Sequence, residues 1–214
     1  MIVMHYTGMR SAGAAIDRLR DPAAKVSAHY LIDEDGTVAS LVPDELRAWH
    51  AGWSWWQGRA ALNDVSLGIE LVNPGHDWGY RPFPEPQMVA LLELTTRLVR
   101  RWAIPPDRVV GHSDVAPTRK DDPGELFAWP RLARVGLCHE APIAGPRIPD
   151  PSLAAQALGL FGYPGEAQGV PLKAAVRAFQ RRWRPARCDG ELDPETMGLA
   201  VAVAALRGRR ALAT

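Results

Sequence analysis

The chain has 214 residues, enough for one large domain or an ordinary domain with a small companion, and 47% of them are hydrophobic and 23% charged, proportions that set aside disordered and fibrous classes. A formal net charge of +1 gives no global reason to expect a nucleic-acid or anionic-membrane partner. Cys138 and Cys188 have no C-x-x-C spacing, which implies neither a disulfide framework nor a cysteine-rich zinc site.

Met1-Ile2-Val3-Met4 runs at once into His5, without the basic start, apolar stretch of about 7 to 15 residues and small-residue cleavage site of an export signal. No stretch approaches the roughly 18 apolar residues of a membrane span. A soluble, cytoplasmic monomer is the expectation. Residues 2–7 are short, β-branched and aromatic and precede Gly8, which predicts a buried strand delivering His5 to a sheet edge. Residues 11–20 predict an amphipathic helix with Ile16 and Leu19 inward, stopped at Asp21-Pro22. Residues 28–32 and 37–42 predict a hairpin around Asp33-Glu34-Asp35-Gly36, where Asp-Gly supplies the positive φ of a tight turn.

Residues 66–72 predict a further strand, and its Glu70 is a carboxylate among apolar neighbours. Burying it unpaired is costly. Either alternation turns it to solvent, or it is one functional acid in a strand covered on both faces; its apolar and very small neighbours favour the second. Met88, Leu91, Leu92, Thr95, Leu98, Val99 and Trp102 repeat at helical steps, and residues 108–111 predict a strand running into the loop from His112 to Gly124. Strands and helices in this order indicate an α/β class, a mixed β-sheet flanked by helices.

Residues 138–151 hold four prolines and a glycine and predict a linker between a catalytic domain, residues 1–137, and a small three-helix domain, residues 152–214. In that last part Leu153, Leu158 and Phe161, then Leu172, Val176, Phe179 and Trp183, then Leu199, Val203 and Leu206 form three apolar stripes. The acidic trio Asp189, Glu191 and Asp193 lacks the closing glutamate of a calcium loop, because Ala200 stands at its twelfth position. Nine basic residues from Lys173 to Arg210 outnumber six acidic ones from Asp150 onward, but no interleaved aromatics accompany them, and no nucleic-acid partner is expected.

Of the six histidines, His5 and His112 each end a predicted strand and enter a loop, where side chains of a mixed sheet converge on one rim. An open zinc site takes three protein ligands and a water. Asp114, Asp121 and Asp122 are the candidates for the third: Asp114 is close to His112 and tends to splay away, whereas Asp121 or Asp122 can return after the Ala116-Pro117 bend. Spacing leaves the choice open, and a solvated polar loop accounts equally well for the same residues.

Five motifs, in order and spacing, carry a resemblance: His5-Tyr6-Thr7; Ser27-Ala28-His29-Tyr30-Leu31-Ile32 with Asp35-Gly36; Trp49-His50-Ala51-Gly52; Asn63-Asp64-Val65-Ser66-Leu67-Gly68-Ile69-Glu70; and Gly111-His112-Ser113-Asp114-Val115-Ala116-Pro117 through Arg119-Lys120-Asp121-Asp122-Pro123-Gly124. Over roughly residues 1–135 the chain resembles the zinc-dependent N-acetylmuramoyl-L-alanine amidases, a class related to phage lysozyme-type amidases and peptidoglycan recognition proteins. The resemblance implies one Zn2+ per chain on His5, His112 and Asp122, the aspartate directly before Pro-Gly. It gives Glu70 the role of general base and then acid, and Lys120 that of stabilising the oxyanion. It places His50 in the substrate pocket and His29 in packing; His76 and His139 match nothing and are expected at the surface.

Trp49, Trp53, Trp55 and Trp56 crowd one loop, more tryptophan than a core explains, and Trp53 and Trp55, with Asn63 from the fourth motif, are expected to contact substrate. The implied substrate is peptidoglycan or a muropeptide, cut between N-acetylmuramic acid, or its 1,6-anhydro form, and L-alanine. A non-catalytic muropeptide-recognition protein is the alternative, but such relatives characteristically lose a metal ligand. Val176-Arg177-Ala178-Phe179-Gln180, Cys188-Asp189-Gly190-Glu191-Leu192-Asp193 and Glu195-Thr196 resemble the three-helix peptidoglycan-binding domain. That likeness points to polymer outside the membrane, so a periplasmic or cell-wall location is the alternative if the native N-terminus carries a signal.

Overall fold

A computed structural model describes residues 1–208; Arg209, Arg210 and the rest of the predicted third domain's end lie outside the described residues. β1 (Ile2–Tyr6) is followed by α1 (Ala12–Arg20), β2 (Tyr30–Ile32), β3 (Val38–Ser40), a small ribbon of β4 (Trp55–Trp56) and β5 (Arg59–Ala60), and β6 (Leu67–Leu71). Then come α2 (Gly75–Trp78), α3 (Glu85–Trp102), β7 (Val109–Gly111), α4 (His112–Val115) and α5 (Trp129–Arg134), and finally α6 (Pro151–Phe161), α7 (Leu172–Trp183) and α8 (Pro194–Gly208).

The main sheet has the order β3-β2-β6-β1-β7. β2, β6, β1 and β7 run parallel and β3 pairs antiparallel with β2, which gives the mixed sheet expected. Ile2, Val3 and Met4 are all 0% exposed, because β1 is central and covered on both faces. Alternation sorts the strands into two faces. Ile2 and Met4 of β1, Tyr30 and Ile32 of β2, and Leu67, Ile69 and Leu71 of β6 join Met88, Leu91, Leu94 and Leu98 of α3 in one cluster. At about 1.5–3 kcal/mol for each large apolar side chain removed from water, this helix fixes that face.

The opposite face carries Val3, His5, Gly68 and Glu70. Toward β2 it is covered by α1, whose Ala15 is buried against Leu31 and Val72. Ile16 and Leu19, expected as the inward residues, are only partly buried there. Toward β7 the cover is helical: Val3 and Val110 share a cluster with Trp56, Leu62 and Val115 and with Phe161, Val176, Phe179 and Trp183 of α6 and α7. The three C-terminal helices expected from the sequence are therefore present and share a core with the sheet. Trp56, buried to 2% exposure, stands edge-on to both Phe161 and Tyr163 and donates its indole N–H to the Asp107 carbonyl.

Ser11 caps α1 by accepting the Ala14 N–H, and Asp33 N–H to the Thr37 carbonyl closes the β2–β3 hairpin, with Gly36 at φ +90°. Residues 112–115, expected as loop, form the short helix α4. The signal was Asp114: its carboxylate accepts the Gly111 N–H at 2.8 Å, satisfying a donor at the helix start. Among the described residues no helix is long and apolar enough to cross a membrane.

Candidate active site

β1 and β7 end side by side, and β1 delivers His5 to the rim where β7 turns into α4 and presents His112. The chain then bends through Ala116-Pro117 and returns, so that the Ser113 N–H donates to the Asp122 carbonyl at 2.8 Å. Three side-chain atoms converge: His5 Nδ1 lies 2.9 Å from His112 Nδ1, and each lies 3.0 Å from Asp122 Oδ2. All three residues are buried, at 1%, 2% and 6% exposure. The three candidate aspartates thus separate: Asp122 joins the histidines, Asp114 is buried elsewhere, and Asp121 faces partly outward.

The protons of this cluster can be assigned by following each hydrogen bond to a group with only one option. His112 Nε2 is 3.1 Å from the Ala51 carbonyl, which can only accept, so Nε2 carries the hydrogen. Ser66 spends its hydroxyl proton on the Leu62 carbonyl at 2.5 Å, so at its 3.3 Å contact with His50 Nε2 the imidazole donates. His50 Nδ1 is then an acceptor, and His5 Nε2, 3.0 Å away, donates to it. Burial, followed by the neighbouring His112, holds His5 down to about 4, and burial, followed by His5, holds His50 well below the usual imidazole range. Both rings are neutral at pH 7.

With its Nε2 already engaged, each of His5 and His112 turns its Nδ1 toward the other across 2.9 Å, with a carboxylate oxygen beside them. Two ring nitrogens and a carboxylate oxygen brought together from separate segments are the donor set that a divalent cation takes. Metal bonds of about 2.0–2.1 Å at tetrahedral angles would put ligand atoms roughly 3.3 Å apart, so the trio needs to spread by only a few tenths of an ångström. Asp122 is poised accordingly: burial raises its pKa, but His112 and His5 outweigh that and hold it well below the usual carboxylate range. Two imidazoles, held by His50 and the Ala51 carbonyl, and one carboxylate fit a divalent metal ion with room for substrate.

Glu70 is the register partner of His5 on the neighbouring strand β6. Its Oε2 is sealed from solvent and has no hydrogen-bond partner. Burial, followed by the Asp122 charge, pushes its pKa well above the ordinary value, while Lys120 pulls the other way. A buried carboxyl whose hold on a proton is strengthened, beside a metal-binding trio, is suited to carrying protons. Lys120 lies on the returning segment, its backbone N–H held by the Ala116 carbonyl.

A cleft of about 410 Å³ opens over these residues and is lined by His5, His50, Glu70, His112, Lys120 and Asp122. The structure leaves Trp53, Trp55 and Asn63 outside this lining. Trp49 is the tryptophan that does line it, half exposed with the Arg47 guanidinium 4.1 Å over its ring. Trp53 is exposed, with its carbonyl accepting from Arg119 at 2.6 Å, and Trp55 belongs to the β4–β5 ribbon. Asn63 is occupied internally: its carboxamide oxygen accepts the N–H groups of His50 and Ala51 at 3.1 and 2.8 Å. Through these bonds Asn63 supports the loop that holds His50.

His50 lines the cleft and also braces His5. His29 packs as expected, accepting the Gly68 N–H and standing edge-on to His50. His76, expected as an unmatched surface residue, also lines the cleft and bridges the Tyr6 hydroxyl and Glu125. No local pattern marks it, because its partners come from β1 and the segment after Gly124.

A metal-binding trio with a buried acid beside it, on the parallel strands of a mixed sheet, is the arrangement of a metal-assisted hydrolase. Residues 1–125 match the N-acetylmuramoyl-L-alanine amidase family, and the chain belongs to that family; it is a hydrolase acting on the amide bond the family name describes. The N-acetylmuramoyl-L-alanine amidase AmiD of Escherichia coli K12 is 36% identical over 95% of this chain and 81% of its own length. The 1,6-anhydro-N-acetylmuramyl-L-alanine amidase AmpD of Enterobacter cloacae is 46% identical over 50% of this chain and 55% of its own. Among solved structures, E. coli AmiD in complex with anhydro-N-acetylmuramic acid-L-Ala-D-γ-Glu-L-Lys superposes with a TM-score of 0.89 at 34% identity, covering 97% of this chain and 89% of that one. AmpDh3 from Pseudomonas aeruginosa with an anhydromuramic pentapeptide gives 0.84 at 31%, covering 97% and 91%.

Proposed function

We propose that the chain is a zinc amidase that releases the stem peptide from muropeptides, including those ending in 1,6-anhydro-N-acetylmuramic acid, by cutting the bond to L-alanine. The observation that carries this reading is the apposition of two imidazole nitrogens and a carboxylate oxygen at about 3 Å beside the partnerless buried oxygen of Glu70. His5, His112 and Asp122 would hold the metal; bound there, zinc supplies a Lewis acid that polarises a carbonyl and lowers the pKa of water.

Glu70 takes a proton from the attacking water as the new C–O bond forms. It returns that proton to the amide nitrogen as the C–N bond breaks, so that the peptide leaves as a neutral amine and the muramic lactyl group as an acid. The Lys120 ammonium faces the oxygen on which negative charge develops. Trp49 supplies an apolar wall for sugar or peptide. The helices α6–α8, which resemble a peptidoglycan-binding domain, add affinity for glycan.

The test is release of peptide from purified anhydromuropeptide by the full chain, before and after dialysis against a strong chelator and after zinc is returned. Loss on chelation with recovery on zinc supports the reading, and undiminished turnover under chelation overturns it. Rates on intact sacculi beside those on soluble anhydromuropeptide separate wall polymer from its fragments as the preferred substrate.

A further inference from the structure

The C-terminal helix α7 carries two consecutive arginines, and both reach back to the chain on either side of the metal trio. Arg182 is buried, at 6% exposure. Its Nη1 lies 2.9 Å from Asp114 Oδ2, its Nη2 donates to the Val109 carbonyl of β7 at 3.1 Å, and its guanidinium lies 4.1 Å over the Trp129 ring and 4.9 Å over that of Trp183. Asp114, 1% exposed, is fully engaged: Oδ2 also accepts the Gly111 N–H, and Oδ1 accepts the Tyr163 hydroxyl at 2.7 Å. Gly111 and Asp114 flank His112, so this network sets the turn that aims its ring.

Arg181, one residue earlier, is 4% exposed and places Nη2 2.6 Å from Asp121 Oδ1, with Nε 3.5 Å from Glu125 Oε2. Asp121 directly precedes Asp122. One helix therefore holds both segments of the trio, the turn at His112 through Arg182 and the returning segment at Asp122 through Arg181. None of these groups reaches the reacting atoms, and the reaction uses none of their protons. A buried ion pair is a poor source of net stability compared with apolar packing, so its placement here calls for another purpose.

We propose that Arg181, Arg182 and Tyr163 are positioning residues for the metal ligands, so that the C-terminal helices are part of the metal site rather than only a substrate-holding attachment. This inference rests on the zinc reading above. Partners bonded directly to a ligand typically change metal affinity by about 10- to 100-fold when removed, and these three residues act one bond further out, so about tenfold is the upper expectation.

Zinc affinity of the full chain is measured by competition with a coloured chelator, and the ligand field by visible absorption of the cobalt-loaded protein, for Arg182→Met, Arg181→Gln and Tyr163→Phe. Circular dichroism identifies the variants that are folded without metal. The expectation is zinc binding weakened by up to about tenfold in Arg182→Met and less in the other two, with altered cobalt bands. If Arg182→Met does not fold, Arg181→Gln and Tyr163→Phe decide by the same two measurements. Folded variants that bind zinc as tightly as the parent, with unchanged cobalt bands, overturn the proposal. Absence of zinc uptake by the parent chain would instead overturn the reading of the site itself.

Discussion

Gly68 of β6 lies directly beneath the ring of His50: a Cβ added at Gly68 would stand 2.4 Å from His50 Cγ. The missing side chain is what lets the ring lie against the sheet, between His5 and Ser66. Gly68→Ala is therefore expected to push His50 off His5. Overpacking of this kind costs about 1–3 kcal/mol, and loss of the brace on His5 should weaken zinc binding by about tenfold or more. Urea unfolding of the metal-free protein and chelator competition read the two effects separately, and an alanine variant with parental values for both would show that the ring has another place to go.

Glu70 and the metal trio should separate by function. Glu70→Gln keeps the shape of the side chain and removes its ability to take up a proton, so zinc content should stay at that of the parent while turnover falls by about 10²- to 10⁴-fold. Metal analysis of the purified variant alongside peptide release checks both halves. A variant that turned over at the parental rate would remove Glu70 from the proton path.

Metal should also be a stability ligand. Binding to the folded chain alone at a thousandfold excess over Kd contributes about 4 kcal/mol, which for a chain of this size raises Tm by about 10 °C. Asp122→Ala should abolish that increment, since it leaves two imidazoles with no carboxylate. Calorimetry with and without zinc decides: an Asp122→Ala protein that still gained the full shift would place the ion elsewhere.

All four tyrosines hold their hydroxyls above the ordinary value of 10.0, with Tyr30 and Tyr6 at about 12 and Tyr80 and Tyr163 also shifted upward, in every case first because of burial. A group whose folded pKa is raised keeps its proton when the unfolded chain has lost it, so its contribution is complete below pH 10 and is lost as the pH climbs through the folded value. Stability should therefore be level below pH 10 and fall between about pH 10 and 12. Tyr30, which donates its hydroxyl to Asp44 at 2.5 Å, is far in sequence from the metal ligands, and Tyr30→Phe should flatten part of that fall. Alkaline unfolding followed by circular dichroism gives the two slopes, and equal slopes would contradict the assignment.

What could be read from the residues alone was mostly what lies along one segment. The helical steps of α3, the Asp-Gly hairpin turn and the strand ends at His5 and His112 all appear in the order that the sheet uses. The metal aspartate could not be chosen by spacing, because the choice depends on the Ser113 to Asp122 hydrogen bond that closes the loop. Asp114 was left open for the same reason, since it spends its side chain on partners distant in sequence; the partners of Asn63, and those of His76, exposed as expected, likewise come from other segments. Among the tryptophans, which one is core and which is wall depends on where α6 packs, and Trp56 rather than Trp49 faces Phe161.

The arginine pair has a bearing on how such chains can diverge. Neighbouring positions on an α-helix project about 100° apart, and Arg181 and Arg182 use that angle to address two different segments. An insertion or deletion of one residue inside α7 before this pair would turn both guanidiniums away together, whereas added or lost residues between 139 and 150, where the backbone forms no helix or strand, would leave the angle untouched. Length variation among descendants of this chain should thus collect in that connector, with the helical phase of α7 kept.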